Sequence, residues 1–212
     1  MIRTLFVDAG GVLYNNVNEE TDFLDRVAER YDVDRARLAR RVEEAAPRYE
    51  SGASHVHEVI ARLVTDGRRP MVRTPAEERW LNRTYLDCVR PHPGSFRALR
   101  ELRAERPEVT LVLTNNEAEH WDRLKDAAYG HFGLFHALCS SWRTGRVKPA
   151  ASFFTEALSA CRARAAETLL VDDRATVLRV GAGLGLRTLH VTAPEVLAER
   201  LHGEVRALPS AP

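Results

Sequence analysis

Apolar residues recur along this chain with two different spacings. Short, nearly continuous runs bounded by turn-forming residues occur at Leu5-Phe6-Val7, Val109–Leu113, Thr168–Val171 and Thr188–Val191, with a weaker one at Ala137-Leu138-Cys139. Successive strand side chains point to opposite faces, so a run without polar alternation predicts a strand covered on both sides, as in a parallel sheet. From residue 94 onward helical spacing separates the runs. Phe96, Leu99 and Leu102 share one face, and Phe153, Phe154, Ala157, Leu158 and Cys161 another. Strands alternating with helices predict an α/β domain built on a doubly wound parallel sheet.

Roughly 75 residues interrupt this alternation after the first strand, and their spacing is helical. Phe23, Leu24, Val27, Ala28 and Tyr31 form one stripe, Val56, Val59, Ile60 and Leu63 a second, and Leu81, Thr84, Tyr85 and Cys88 a third. Thr74-Pro75-Ala76-Glu77 predicts the start of the last helix, with an N-cap, a proline in the first turn and a capping glutamate. The expected organisation is an α/β core over residues 1–14 and 90–202, with a small all-helical unit over 15–89 inserted after the first strand. Hinges are expected near residues 15 and 90, where Pro91 and Pro93 mark the return, and a loose tail over 203–212.

Composition narrows the function classes. The 212 residues suffice for one ordinary domain and a small module. The 31 basic and 30 acidic side chains leave a formal charge of +1 without blocks of one sign, which argues against a nucleic-acid footprint or an anionic-membrane patch. No leader or membrane-spanning segment is read in the chain, and Cys88, Cys139 and Cys161 lack metal-ligand spacing; a cytoplasmic protein with reduced thiols is expected. Only Lys125 and Lys148 are lysines, so each stands out in a chain that otherwise uses arginine.

Ligands of open α/β sheets bind beyond the carboxyl ends of the strands, which singles out the residues that follow each run. Asp8-Ala9-Gly10-Gly11 follows the first, Thr114-Asn115-Asn116 the second, and Asp172-Asp173 the fourth; Arg146-Val147-Lys148-Pro149 precedes the helix that begins near Phe153. Each segment has a purely structural alternative: an Asp-x-Gly turn, a helix N-cap, a surface lysine, a capped helix start. Their order carries the functional reading. A carboxylate, a hydroxyl with free N–H groups, a lysine and an acidic pair, if gathered in one crevice, make a nucleophile, partners for phosphate oxygens and a site for a hard divalent cation.

These four segments resemble the four motifs of the haloacid dehalogenase superfamily, and the helical insertion resembles that family's C1 cap. The likeness runs from about residue 2 to residue 192 and implies a Rossmann-like core. It further implies that Asp8 is the nucleophile of an Mg²⁺-dependent phosphatase and forms an aspartyl phosphate. Thr114, Asn115, Gly11 and Lys148 would bind the phosphate, and Asp8, Asp173, Asp172 and the Gly10 carbonyl would serve the metal. The substrate implied is a small phosphate ester, and the protein a monomer or homodimer.

One position departs from the pattern. Where phosphatases of the family usually carry a second aspartate, which protonates the leaving group, this chain has Gly10. Positioned acid–base catalysis is worth about 10²–10⁴-fold, so three readings stay open: a working phosphatase with the acid supplied elsewhere, a non-catalytic binding or scaffold protein, and a 2-haloacid dehalogenase, whose departing halide needs no proton. Tyr14, Asn15, His55 and His57 are the substitutes considered for the acid; the stretch from Tyr49 to His57, with Gly52 as a hinge, is the expected substrate-selecting segment.

Overall fold

The structure is a computed structural model that describes residues 1–206. Five strands, β1 (Thr4–Val7), β2 (Thr110–Leu113), β3 (Ala137–Leu138), β4 (Thr168–Asp172) and β5 (Arg187–His190), form one parallel sheet in the order β3-β2-β1-β4-β5. β1 is central: Thr4 to Val7 pair with Thr110 to Leu113 on one side and with Thr168 to Val171 on the other. The chain moves outward from β1 to β2 and β3, then crosses back to β4 and β5. This switch places the carboxyl ends of β1, β2 and β4 side by side.

The unbroken apolar runs divide cleanly between two faces. Leu5, Val7, Leu111, Leu113, Leu169 and Val171 belong to one core cluster, which also takes Leu99 and Leu102 of α6 (Pro93–Glu105) and Leu197, Leu201 and Val205 of α11 (Pro194–Arg206). Phe6, Val112 and Leu170 point the other way, against Phe153, Phe154 and Ala157 of α9 (Ala151–Ala160) and Val177 and Leu178 of α10 (Ala175–Gly183). α7 (Glu119–Tyr129) and the short α8 (Ser141–Thr144) complete the core.

Between β1 and α6 stand five helices: α1 (Val17–Glu20), α2 (Phe23–Tyr31), α3 (Arg35–Glu50), α4 (Val56–Leu63) and α5 (Pro75–Cys88). The three predicted stripes lie on α2, α4 and α5. α3 is an addition, because only Leu38, Val42 and Tyr49 of its sixteen residues are buried and so faint a stripe gives no clear period. At the start of α5, Thr74 accepts from the Glu77 N–H at 3.2 Å as predicted. Glu77 does not complete the box. Its carboxylate holds Arg30 in a bidentate pair (2.6 and 2.7 Å) and the Tyr31 hydroxyl at 2.7 Å, joining α2 to α5.

The two chain segments at the root of the insertion run beside one another. Tyr14 and Pro91 form an antiparallel bridge, the Asn15 N–H donates to the Arg90 carbonyl at 3.1 Å, and the Asn15 side chain accepts from the Arg90 N–H at 2.7 Å and donates to the Cys88 carbonyl. At the other end, the tail expected from Gly203 is corrected: α11 continues through Arg206 and buries Val205, while 207–212 lie outside the described residues. No helix among the described residues is long and apolar enough to cross a membrane.

Candidate active site

Asp8 leaves the end of β1 with its N–H bonded to the Val171 carbonyl at 3.0 Å, and Thr114 leaves β2 with its N–H bonded to the Val7 carbonyl at 2.8 Å. Parallel pairing thus continues one residue past the strands, and Asp8, Thr114 and Asp172 are set at one sheet edge by backbone register alone. All three are buried.

Lys148 joins them from the loop before α9. Its ammonium donates to Asp172 Oδ2 at 2.6 Å and lies 2.9 Å from Asp8 Oδ1. Asn116 positions it: the Asn116 carboxamide accepts from the Lys148 N–H and donates to the Lys148 carbonyl, both at 2.9 Å. Burial disfavours the Lys148 ammonium, but Asp172 and Asp8 more than offset that, and its pKa lies above the ordinary value. For Asp8 the balance falls the other way. Burial pushes the carboxyl up, Lys148 pulls it down, Asp172 and Asp173 push it up again, and it comes to about 7. Asp173 is raised too, chiefly by burial.

Burial is the first cause for both, and a surplus of negative charge adds to it. Oxygens of Asp8, Asp172 and Asp173 lie within 4.8 Å of one another. Three carboxylates against one ammonium leave two uncompensated charges in a desolvated place. A hard divalent cation fits this donor set, and Asp173 Oδ1 is buried without a hydrogen-bond partner among the described residues. The Thr114 hydroxyl is likewise buried and unpartnered, an available donor beside Asp8.

The two glycines have distinct reasons. Gly11 takes φ +65°, and a side chain there would run into the Asp173 carboxylate. At Gly10, a Cβ would lie 2.5 Å from Asn16 Oδ1. Asn16 fills the space that a residue-10 side chain would take, and its amide donates to Asp173 Oδ2 at 2.9 Å. Asn115 is turned to a structural task. Its amide donates to Asp122 Oδ1 at 3.0 Å, and the buried Asp122 also accepts from His131, Ser140 and Trp142.

Beyond the carboxylates opens a second cavity, walled by the insertion. Phe23, Val27, Leu38, Val59, Ile60 and Trp121 give it an apolar wall opposite a polar one, and Tyr85 stacks on Trp121 with ring centroids 4.3 Å apart. Its polar groups include the pair of Lys125 and Glu117, at 2.7 Å, with the Tyr85 hydroxyl on the same carboxylate. Gly10, Asn16, Glu50, Asn116 and Arg174 line both this chamber and the cavity holding Asp8 and Lys148.

Of the substitutes considered for the missing acid, Tyr14 is buried against Phe96, Tyr129 and His131, with a pKa raised far above the ordinary value mainly by burial. Asn15 staples the root of the insertion. His57 packs with His55 and His120, and both His57 and His120 meet Asn82 Oδ1. None of these lines the cavity that holds Asp8. Arg146 is exposed. Sequence reasoning missed Asn16 and Arg174, and placed Glu50 only within the expected substrate-selecting stretch: Arg174 adjoins the acidic pair and was findable, whereas Asn16 and the position of Glu50 between the cavities follow only from folding.

Comparison with known proteins identifies the family and the fold. The family model described as haloacid dehalogenase-like hydrolase matches residues 2–185. The sesquiterpene phosphatase astK of Aspergillus oryzae is 30% identical over 110 residues, 52% of this chain; the chain spans about half (55%) of that relative's length. A haloacid dehalogenase family enzyme of Bacteroides thetaiotaomicron, solved with magnesium and inorganic phosphate, superposes with TM-score 0.73 at 16% identity, covering 90% of this chain and 94% of that one. The L-2-haloacid dehalogenase of Xanthobacter autotrophicus superposes with TM-score 0.62 at 18% identity, covering 98% and 85%. These two structures share the fold.

Proposed function

The chain belongs to the haloacid dehalogenase-like hydrolases, and from that premise we propose that it is an Mg²⁺-dependent phosphatase acting through Asp8 on the phosphate monoester of an apolar alcohol. The observation that carries the reading is the junction of two unlike cavities, a charged one at Asp8 and Lys148 and a second one to which the insertion gives an apolar wall.

Asp8 attacks phosphorus and forms an aspartyl phosphate, which water then hydrolyses. Lys148 and the Thr114 hydroxyl meet the phosphoryl oxygens, and Arg174 stands at the mouth with a further positive charge. Asp8, Asp173 and Asp172, with the Gly10 carbonyl, would hold magnesium, which when bound would supply charge neutralisation for the phosphoryl group. Asp172 bonds Lys148 and the Arg174 N–H, so its part is to fix Lys148 and complete the metal's surroundings.

The insertion acts as the cap and chooses the substrate: its apolar wall receives the alcohol and excludes water. The segment from Tyr49 to His57 contributes Tyr49, Glu50 and Val56 to that wall. The name of the Aspergillus relative supports an apolar alcohol. The acidic pair weighs against a dehalogenase, which has no use for a divalent cation.

The test is a panel of alkyl phosphates of rising chain length, with Mg²⁺, beside Asp8→Asn. Each buried methylene is worth about 0.8 kcal/mol, so kcat/KM should rise by up to about fourfold per methylene until the chamber is full. Turnover should vanish in Asp8→Asn and on metal removal. A panel without length dependence would overturn the apolar substrate, and turnover surviving in Asp8→Asn would overturn the nucleophile.

A further inference from the structure

We propose that Glu50, the last residue of α3, is the proton carrier of this site and serves the leaving-group oxygen in place of the carboxyl that Gly10 lacks. The proposal rests on the phosphatase reading and adds to it the group that completes the chemistry.

Position is the first argument. An apolar phosphate ester must place its phosphoryl group at Asp8 and its alcohol in the chamber, so the bond that breaks lies where the two cavities meet. Glu50 lines both. The space next to residue 10, where the family's acid would lie, is filled by Asn16, whose carboxamide cannot carry a proton between steps.

Elimination is the second. Apart from the three clustered aspartates, the carboxyls lining either cavity are Glu19, Glu43, Glu50 and Glu117. Glu19 is exposed and paired with Arg174 at 2.6 Å, and Glu43 is exposed. Glu117 is bound by Lys125 and Tyr85. The Glu50 carboxyl is half-buried and makes no hydrogen bond or ion pair among the described residues. It is available.

Anchoring is the third. Glu50 lies on the insertion, yet its backbone is tied to the core: the Ser141 hydroxyl donates to its carbonyl at 2.7 Å. Two residues on, Gly52 (φ +75°) sits so close to α8 that a Cβ would lie 2.9 Å from the Trp142 carbonyl oxygen. A backbone held from both units keeps the root of this side chain in one place beside the two cavities.

Its surroundings agree. Burial raises the Glu50 carboxyl, Glu117 raises it further, Arg174 and Lys148 lower it, and Asp8 raises it, to about 7. Lys125 on α7, Glu19 on α1, and Tyr49 and Glu43 on its own helix are the other ionisable groups along the two cavities near it. A carboxyl poised near neutrality can give and retake a proton. In the first step an Asp8 oxygen bonds to phosphorus, the ester P–O bond breaks, and the departing oxygen takes the Glu50 proton to leave as the alcohol. In the second, water bonds to phosphorus and gives a proton to the Glu50 carboxylate. The acyl-phosphate O–P bond breaks, Asp8 is restored as a carboxylate and phosphate is released.

The experiment compares kcat/KM, which includes departure of the alcohol, for octyl phosphate and p-nitrophenyl phosphate in wild type and Glu50→Gln, with Mg²⁺. An alkoxide needs the proton and a nitrophenolate hardly does. Glu50→Gln should lose about 10²–10⁴-fold on octyl phosphate and less than about tenfold on p-nitrophenyl phosphate. Glu50→Asp, which keeps the carboxyl, should retain the wild-type ratio between the two esters even if both rates fall. Equal losses on both esters in Glu50→Gln, or none, overturn the proposal while turnover that still needs Asp8 leaves the phosphatase reading standing. Turnover that survives Asp8→Asn overturns both.

Discussion

At the scale of single residues, Gly10 and Asn16 form one feature. Taken from sequence alone, an aspartate at position 10 should raise the rate if the missing acid limits it. The structure reverses that expectation, since a Cβ there meets Asn16 Oδ1 and would drive Asn16 from Asp173. Gly10→Asp alone is therefore expected to lower kcat, and the double variant Gly10→Asp with Asn16→Ala to exceed it; equal rates in the two would refute the steric account. Lys148 yields a second prediction. Replacing it with Met leaves Asp8 and Asp172 buried without their cation, and removing one partner of a buried ion pair costs about 3–5 kcal/mol. The thermal midpoint should fall accordingly, with part of the loss restored by Mg²⁺, because the same carboxylates then gain another cation. A midpoint unmoved by the change would show that Lys148 is not the charge that balances them.

At the scale of elements, two devices hold the site's loops. Asp122, on the first turn of α7, accepts four hydrogen bonds, from the segments after β2 and β3 and from the residues between α7 and β3. Burial raises its pKa but the bonds from His131, Trp142 and the charge of Lys125 prevail, so it stays below the ordinary carboxylate range. Asp122→Ala would strand those donors in the interior, at about 1–3 kcal/mol for each one left unsatisfied. It should lower both the midpoint and the affinity for inorganic phosphate, through the displaced Thr114–Asn116 segment. Retained phosphate affinity in a folded variant would separate Asp122 from the site. Gly52 is the second device. An alanine there meets the Trp142 backbone in a left-handed conformation, with a strain of about 1–3 kcal/mol. Gly52→Ala should disturb octyl phosphate turnover more than p-nitrophenyl phosphate turnover, because it moves the turn that carries Glu50.

Across the whole molecule, the insertion and core meet partly through a cluster of three histidines. His57 of α4 is held down to about 4 by burial, then by His120 of α7 and by His55; His120 is lowered as well. In the unfolded chain these rings titrate near 6.5, so between about 6.5 and 4 the unfolded state binds more protons. The stabilisation from a neutral His57 is thus complete above 6.5 and lost as pH falls toward 4. Relative to a His57→Asn variant, wild type should lose stability over that interval, measured by chemical unfolding at each pH; a difference that grows in the opposite sense would reject the account.

Much of this was legible along the chain because strands and helices are local. Runs such as Leu5-Phe6-Val7 and the spacing of Phe153, Phe154 and Ala157 specify the elements, and parallel register then brings Asp8, Thr114 and Asp172 together wherever three such strands adjoin. Lys148 was visible through its rarity. Helix α3 was not, since it buries few of its residues and so lacks a clear period. The stretch from Tyr49 to His57 was legible as lining the substrate site, but the place of Asn16 behind Gly10, and of Glu50 at the junction of the two cavities, was beyond reach for a different reason. Both depend on how the insertion docks on the core, through contacts such as Ser141 with the Glu50 carbonyl between residues 91 positions apart. No local pattern encodes a pairing of that range; it follows from which surfaces remain to be buried once the elements have formed.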